Sequence, residues 1–341
     1  MKYATHCQLL LPGMFHEFAT TADTPPALAK LLKFARRQPS FEGNHDAWRG
    51  HFFGVARQQD DPVAPFSCLG DGIPPGNDFW LCAHPVSLQL QRDSFVLASA
   101  RAPGLSMEQA QALIEALNVH FSEDGLHFSA AHANRWYLRL PQIPKLETYP
   151  LAEAIGQPVE RLLPQGEDGL QWHRRLNECQ MLLHEHPVNL ELERMGALPV
   201  NSLWLWGGGQ LVAGKARPDL TVWAHDPFTR GLGLAHACDV KPLPASATDW
   251  PGGGLAAGEH LLVLDQLEQA GLSGDAFEWQ QALARLDSHW FSPLLAALRD
   301  GTMTELTLHL AEKHRVSSYA VKKSDLLKFW RRAKSLGAYL G

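Results

Sequence analysis

No cysteine pairing is written into this chain. Cys7, Cys68, Cys82, Cys179 and Cys238 stand singly, with no Cys-x-x-Cys spacing, so a thiol redox motif and a zinc ribbon are excluded and the thiols read as reduced. Long apolar runs are missing too. The N-terminal "MKYATHCQLLLPGMF" has one lysine and an apolar stretch too short for a signal peptide or a membrane span, so a cytoplasmic protein with no membrane contact is expected. An excess of positive charge is absent. The formal net charge is −6, which gives no polyanion-binding signature, and nucleic acid is not an expected partner except through a local patch. The run Gly207-Gly208-Gly209 is followed by no Gly-Lys-Ser/Thr, so it is no P-loop, and none of the 17 histidines lies in His-Glu-x-x-His. There is no internal repeat.

What remains is an ordinary globular composition, 45% hydrophobic and 19% charged over 341 residues, enough for one large α/β domain or a core with a smaller companion. "CQLLLPGMF" reads as a strand stopped by Pro12-Gly13, and "TPPALAKLLKFARRQ" as a helix. Residues 39–78 are rich in Gly, Pro and Asp and are expected to be a long irregular segment. "FWLCAHPVSLQLQRDSFVLAS" alternates as a hairpin around Arg92-Asp93. Ser106 with Gln109 forms a capping box before an amphipathic helix, and "LHFSAAHANRWYLRLP" reads as two short strands. These make an α+β unit over residues 77–145.

Beyond it, "GLQWHRRLNECQMLLHEH" is a helix with Trp172, Leu176, Cys179, Leu182 and Leu183 on one stripe. "SLWLWGG", "LTVWAH", "HLLVLDQL" and "ELTLHLAEKH" are strand-like. "DAFEWQQALARLDSHWFSPLLAALRD" predicts one long helix opened by Asp275 and Glu278, and "KSDLLKFWRRAK" a closing basic amphipathic helix. Strands alternating with helices predict an α/β fold, a mostly parallel sheet with helices on both faces, formed by residues 1–76 and 146–341, with 77–145 inserted.

The order of these pieces resembles the cofactor-independent phosphoglycerate mutases of the archaeal type, within the alkaline-phosphatase-like superfamily, and most of all a bacterial group labelled RpfE-type regulatory proteins. The resemblance rests on His186-Pro187-Val188-Asn189, Arg194, Asn201 and Trp206-Gly207, with "GDGIPPGNDFWLCAHPVSL" as entry into the inserted domain. Asn134-Arg135-Trp136 stands at a Tyr-Arg-His strand of the family, and "VWAHDPFTRGLGLAHACDV" at its Val-Asp-Leu-Val-Lys-Gly-Leu-Gly segment.

The resemblance implies two divalent metals and a serine that carries the phosphoryl group, because a metal is needed to acidify the hydroxyl and hold the developing charge. The motifs for that chemistry differ here. Pro12-Gly13 stands for Asp-Gly, Gly43-Asn44-His45 for Gly-Ser-Asp, "QLEQAGLSGD" for Asp-Glu-x-x-His, and "LAEKHRVSS" for Asp-His-Ala-Thr-Pro. The chain is therefore read as a catalytically degenerate relative, a pseudoenzyme with no catalytic residue, no metal ligand and no cofactor, binding a protein or a small anionic ligand. His186, Asn189, Arg194 and Asn201 offer either an anion site or helix caps. Arg135 offers a bidentate anion clamp or a surface ion pair. One alternative is a Mn- or Zn-dependent phosphomutase or phosphatase working through a rewired site with Asp46, Asp71, Asp226, Asp239 or nearby histidines. Another is nucleic-acid or acidic-partner binding through the basic C-terminal helix.

Overall fold

The computed structural model describes residues 5–15, 19, 23–91, 94–99, 105–250, 257–272, 274–328 and 330–339. It divides into two compact units, Met1–Gly54 with Gly214–Gly341, and Val55–Ala213. In chain order the first unit opens with β1 (Thr5–Leu11), α1 (Pro26–Phe34), β2 (Arg36–Arg37), β3 (Phe41–Glu42) and α2 (His45–Phe53). The second contains α3 (Val63–Gly70), β4 (Phe79–Gln91), β5 (Ser94–Ser99), α4 (Met107–His120), β6 (His127–His132), β7 (Arg135–Leu140), α5 (Leu151–Ala154), α6 (Gly169–His184), α7 (Pro187–Arg194) and β8 (Ser202–Gly209). The first unit then resumes with β9 (Leu220–Trp223), α8 (Pro227–Ala235), β10 (Asp239–Lys241), β11 (Gly258–Val263), α9 (Gln266–Leu272), α10 (Ala276–Leu286), α11 (Ser292–Asp300), β12 (Glu305–Ala311) and β13 (Arg315–Lys322).

The first unit is α/β. Its sheet runs β10-β9-β11-β1-β12-β13-β2, with β3 also on β13. Every pair from β10 to β12 is parallel, and β13 is antiparallel to its neighbours. Strand alternation sends Cys7, Leu9, Leu306 and Leu308 into a core shared with α1, α10 and α11. On the opposite face Trp48 of α2 lies 4.4 Å from the His309 ring, so helices cover both faces. Two departures from the expected elements have clear causes. The single helix expected over 275–300 is interrupted by a π-turn at Asp287–Phe291, where the Asp287 carboxylate turns aside to accept from the backbone N–H groups of Ala27 and Leu28 at the start of α1 (3.2 and 2.8 Å). "RVSSYAVK", to which the sequence pattern assigned no element, is β13, pairing with β12 from Glu305↔Lys322 to Ala311↔Val316.

The closing basic helix is not formed. Lys323–Leu327 is a 3-10 turn, held because the Asp325 carboxylate accepts from Lys322 N–H (3.1 Å) and the Lys328 ammonium (2.6 Å). Arg331 donates to the carbonyls of Phe34 and Ala35 (2.7 and 2.8 Å). These cations are thus engaged within the fold; Phe329 lies outside the described residues.

The second unit is an antiparallel sheet β5-β4-β7-β6 with β8 on β4, backed by α4 and α6. The expected hairpin, capping box and α6 stripe all form; the Arg92-Asp93 turn lies outside the described residues. This unit reaches past 77–145 on both sides, because β8 completes the sheet on β4 and Trp172, Leu176, Cys179 and Leu183 of α6 close its core. Part of the segment expected to be irregular is helical as α3 here and as α2 in the first unit. Among the described residues no helix is long and apolar enough to cross a membrane.

Candidate functional site

In open α/β sheets, ligands bind beyond the carboxyl ends of the parallel strands. In the first unit, the four segments that stand where the resemblance implies chemistry meet at that edge. Pro12-Gly13 follows β1. Gly13 has φ +71°, and a Cβ there would lie 2.5 Å from the backbone of Glu268, which begins the stretch after β11; only glycine allows this approach. Gly43 N–H donates to the carbonyl of His314, in the turn after β12 (2.9 Å). Asn44 caps α2, its side-chain oxygen accepting from Ala47 N–H (2.9 Å). His45, the next residue, holds Glu268 through Nε2 (2.8 Å).

At the centre is Arg49, a residue not singled out in the sequence. It is 6% exposed. Nη1 donates to Asp226 Oδ1 (2.7 Å) and Thr229 Oγ1 (2.9 Å); Nη2 reaches Asp46 and His45 Nδ1, the latter at 3.1 Å. Asp226, after β9, also caps α8 by accepting from Thr229 N–H (2.8 Å). Burial opposes ionisation of Arg49, but Asp226 and Asp46 outweigh it and raise its pKa. For His45, too, burial favours the neutral form, yet Glu268 and Asp46 raise its pKa. Burial would raise Glu268, but His45 holds it below the ordinary carboxylate value. Asp265 is pushed up, first by burial and then by Asp226 and Glu268. The local signal for this network was the spacing His45, Asp46, Arg49 behind the Asn44 cap: it places all three within one helical turn.

The other candidate residues belong to the second unit. Arg135 is bidentate to Asp71 (both contacts 2.7 Å), and Tyr137 donates to the same carboxylate (2.7 Å). His186 caps α7 by accepting from Val188 N–H (3.2 Å); burial lowers its pKa. Asn189 is a buried clamp, donating to Leu183 and Val200 carbonyls (2.6 and 2.7 Å) and accepting from Val200 N–H (2.8 Å). Asn201 accepts from Leu88 N–H (2.7 Å) and donates to its carbonyl (2.8 Å). Arg194 is exposed in the last turn of α7. Thus both amides are engaged by backbone, and Arg135 by a carboxylate. Of the alternative acids, Asp46 and Asp226 join Arg49, Asp71 joins Arg135, and Asp239 pairs with Lys241 (2.6 Å). Asn189→Ala strands three buried backbone groups and is expected to cost about 2–4 kcal/mol; an unaltered thermal midpoint would refute the clamp.

An α/β core with its site at the strand ends defines the class, and the comparisons give the relationship. No protein-family model matches the chain. It is 26% identical over 224 residues to the 2,3-bisphosphoglycerate-independent phosphoglycerate mutase of Methanosarcina acetivorans, covering 60% of this chain and 56% of that one. It is 24% identical over 254 residues to the probable 2,3-bisphosphoglycerate-independent phosphoglycerate mutase of Geobacter sulfurreducens, covering 69% and 63%. The matched region therefore spans little more than half the length of the first of these relatives. Among solved structures, the PH0037 protein from Pyrococcus horikoshii shares the fold, with a TM-score of 0.57 at 12% identity over 94% of this chain and 88% of that one. In sequence the chain is thus similar to 2,3-bisphosphoglycerate-independent phosphoglycerate mutases, and it shares the fold of the PH0037 protein.

That relationship overturns one expectation. A chain with no cofactor was expected from the altered motifs; its relatives are phosphoglycerate mutases, and the resemblance to that family brings with it a divalent metal, Mn or Zn. As the side chains stand, the strand-end carboxylates do not fit such an ion, since Arg49 is already among them and each of Asp46, Asp226 and Glu268 is turned to a cationic partner. Among the described residues no group of three or more His, Cys, Asp or Glu is disposed to hold a metal.

Proposed function

We propose that this chain is a phosphoglycerate-mutase relative that has given up phosphoryl transfer for binding, acting as a regulatory protein for a partner protein or a small anionic ligand. The observation that carries this reading is Asn44. It stands at the head of α2 where the resemblance implies the phosphoryl-carrying serine, and its side-chain oxygen is engaged as the helix cap. A carboxamide has no hydroxyl to deprotonate and forms no phosphoester, whatever activates it. The Arg49 network supports the same reading, because a guanidinium whose Nη1 and Nη2 are both engaged by the site's own Asp226, Thr229 and Asp46 is not offered end-on to a substrate phosphate. For an anionic ligand, the cations among the candidate residues that are partly or fully open to solvent are Arg135, 33% exposed in its side chain, and Arg194. Purified protein supplied with Mn²⁺ or Zn²⁺ and 3-phosphoglycerate is expected to form no 2-phosphoglycerate above a protein-free blank. Turnover proportional to protein concentration would overturn the proposal.

A second reading, a metal-dependent phosphomutase or phosphatase with a rewired site, is favoured by the names of the relatives. It is also favoured by Asp226 Oδ2, which is buried with no hydrogen-bond partner among the described residues. The same assay separates the two.

A further inference from the structure

The second feature of the first unit lies away from the strand-end cluster, over the amino-terminal halves of β1 and β12. Sheet strands buried under helices are normally apolar on both faces. Here one face carries a polar row. Gln8 is paired with Thr307 across β1 and β12, and His309 with Ser318 across β12 and β13, so these side chains share one side of the sheet. They line a cavity of about 320 Å³, together with Gln38 and Glu305. That volume lies at the lower end of small-ligand sites.

The floor is a preorganised chain. Ser318 Oγ lies 2.8 Å from His309 Nδ1, and His309 Nε2 lies 2.8 Å from Gln8 Oε1. Burial drives the His309 pKa down to about 3, so the ring is neutral and has one donor and one acceptor. Because Gln8 Oε1 only accepts, Nε2 carries the proton and Nδ1 accepts from the Ser318 hydroxyl. The Ser318 oxygen lone pairs are then left for a ligand. The Thr307 hydroxyl and the Gln38 carboxamide make no side-chain hydrogen bond among the described residues. Both residues are half-buried, so these groups can exchange water for the hydroxyls of a ligand.

The lining also selects by charge and shape. Its carboxylate, Glu305, is neutralised by Lys322 (3.3 Å) and Arg36 (4.0 Å), so neither an anion nor a cation would find an unpaired counter-charge. The rings that line it are the imidazoles of His6 and His309, the latter already held by Ser318 and Gln8, so a planar base would find no Phe, Tyr or Trp face among the lining residues. We propose that this cavity binds an uncharged polyhydroxylated small molecule, a polyol or a monosaccharide, with Thr307, Gln38 and Ser318 meeting its hydroxyls.

The test is titration of the full chain, labelled with ¹⁵N-histidine, with glycerol, D-xylose and myo-inositol in turn, following the His309 ring resonances. Saturable shifts with at least one probe are expected, and Thr307→Val or Gln38→Leu should weaken that binding about tenfold through loss of a ligand hydrogen bond. Thr307→Val is nearly isosteric and half-buried, and an unchanged thermal midpoint shows that it still folds. Absence of a saturable shift with all three probes overturns the proposal, as does binding that both folded variants retain at parental strength. The readout involves no turnover, so its outcome is independent of whether the strand-end site is catalytic.

Discussion

Arg49→Met is expected to be the most damaging single substitution in the first unit, lowering stability by about 3–5 kcal/mol. Methionine fills much of the volume, so the loss is electrostatic. Arg49 is the shared partner of Asp46 and Asp226, and its removal leaves Asp226 without its cation and Asp46 with His45 alone. Arg49→Lys keeps the charge but loses the fork that lets one guanidinium serve Asp226 and Thr229 through Nη1 and Asp46 and His45 through Nη2. It should therefore fall between parent and Met variant. Replacing Asp46 and Asp226 by apolar residues as well should recover part of the loss, since a buried ionic set exchanged whole is often tolerated. Urea unfolding of the three variants checks the order. A parental midpoint for Arg49→Met would mean that the network contributes nothing.

Acid sensitivity is the second large effect. His309 has a folded pKa of about 3 against an ordinary 6.5, lowered by burial. Between these values the unfolded chain binds a proton that the folded chain refuses, so stability falls as pH falls through this window, at about 1.4 kcal/mol per pH unit for one such group. His84, lowered to about 4 by burial and then by Arg135, acts in the same direction in the second unit. Of the His45–Glu268 pair, His45 opposes the trend and Glu268 adds to it. The raised pKa of His45 contributes stability that is fully present below the ordinary histidine value and lost as pH rises through its folded value. Glu268, lowered, contributes above the ordinary carboxylate value and loses this as pH falls through its folded one. The net expectation is a steep decline from about pH 6.5 to about pH 3. His309→Gln should flatten that decline in the first unit. Identical pH slopes for parent and variant, from urea unfolding at stepped pH, would remove His309 as its cause.

Several elements were legible because their signals are local. Ser106 and Gln109 form the capping box that their spacing announces, and the Trp172–Leu183 stripe turns into the second unit's core. The four altered motifs, far apart in the chain, were recognisable as a set, and they do assemble at one edge of the sheet. What escaped was their new content. Arg49 lay in a segment whose Gly, Pro and Asp suggested loop, although Asn44 ahead of it is an ordinary helix cap.

The closing segment shows the converse error. Leu326, Leu327 and the lysines and arginines around them have the composition of an amphipathic helix, but Asp325 and the carbonyls of Phe34 and Ala35 offer those cations better partners than solvent does. Asn189 and Asn201 were open to an anion or to a capping role, and backbone groups 11 and 113 residues away in the chain engaged them.

The sequence by itself determined the alternation of strand and helix and the resemblance in the order of the pieces, because residue type and spacing carry those directly. The tertiary structure decided which buried polar groups meet: a guanidinium shared by carboxylates from separate segments, and a neutral histidine between a serine and a glutamine on three neighbouring strands. Partner choice for a buried charge or amide depends on which distant groups the fold brings within about 3 Å, and no local pattern contains that information.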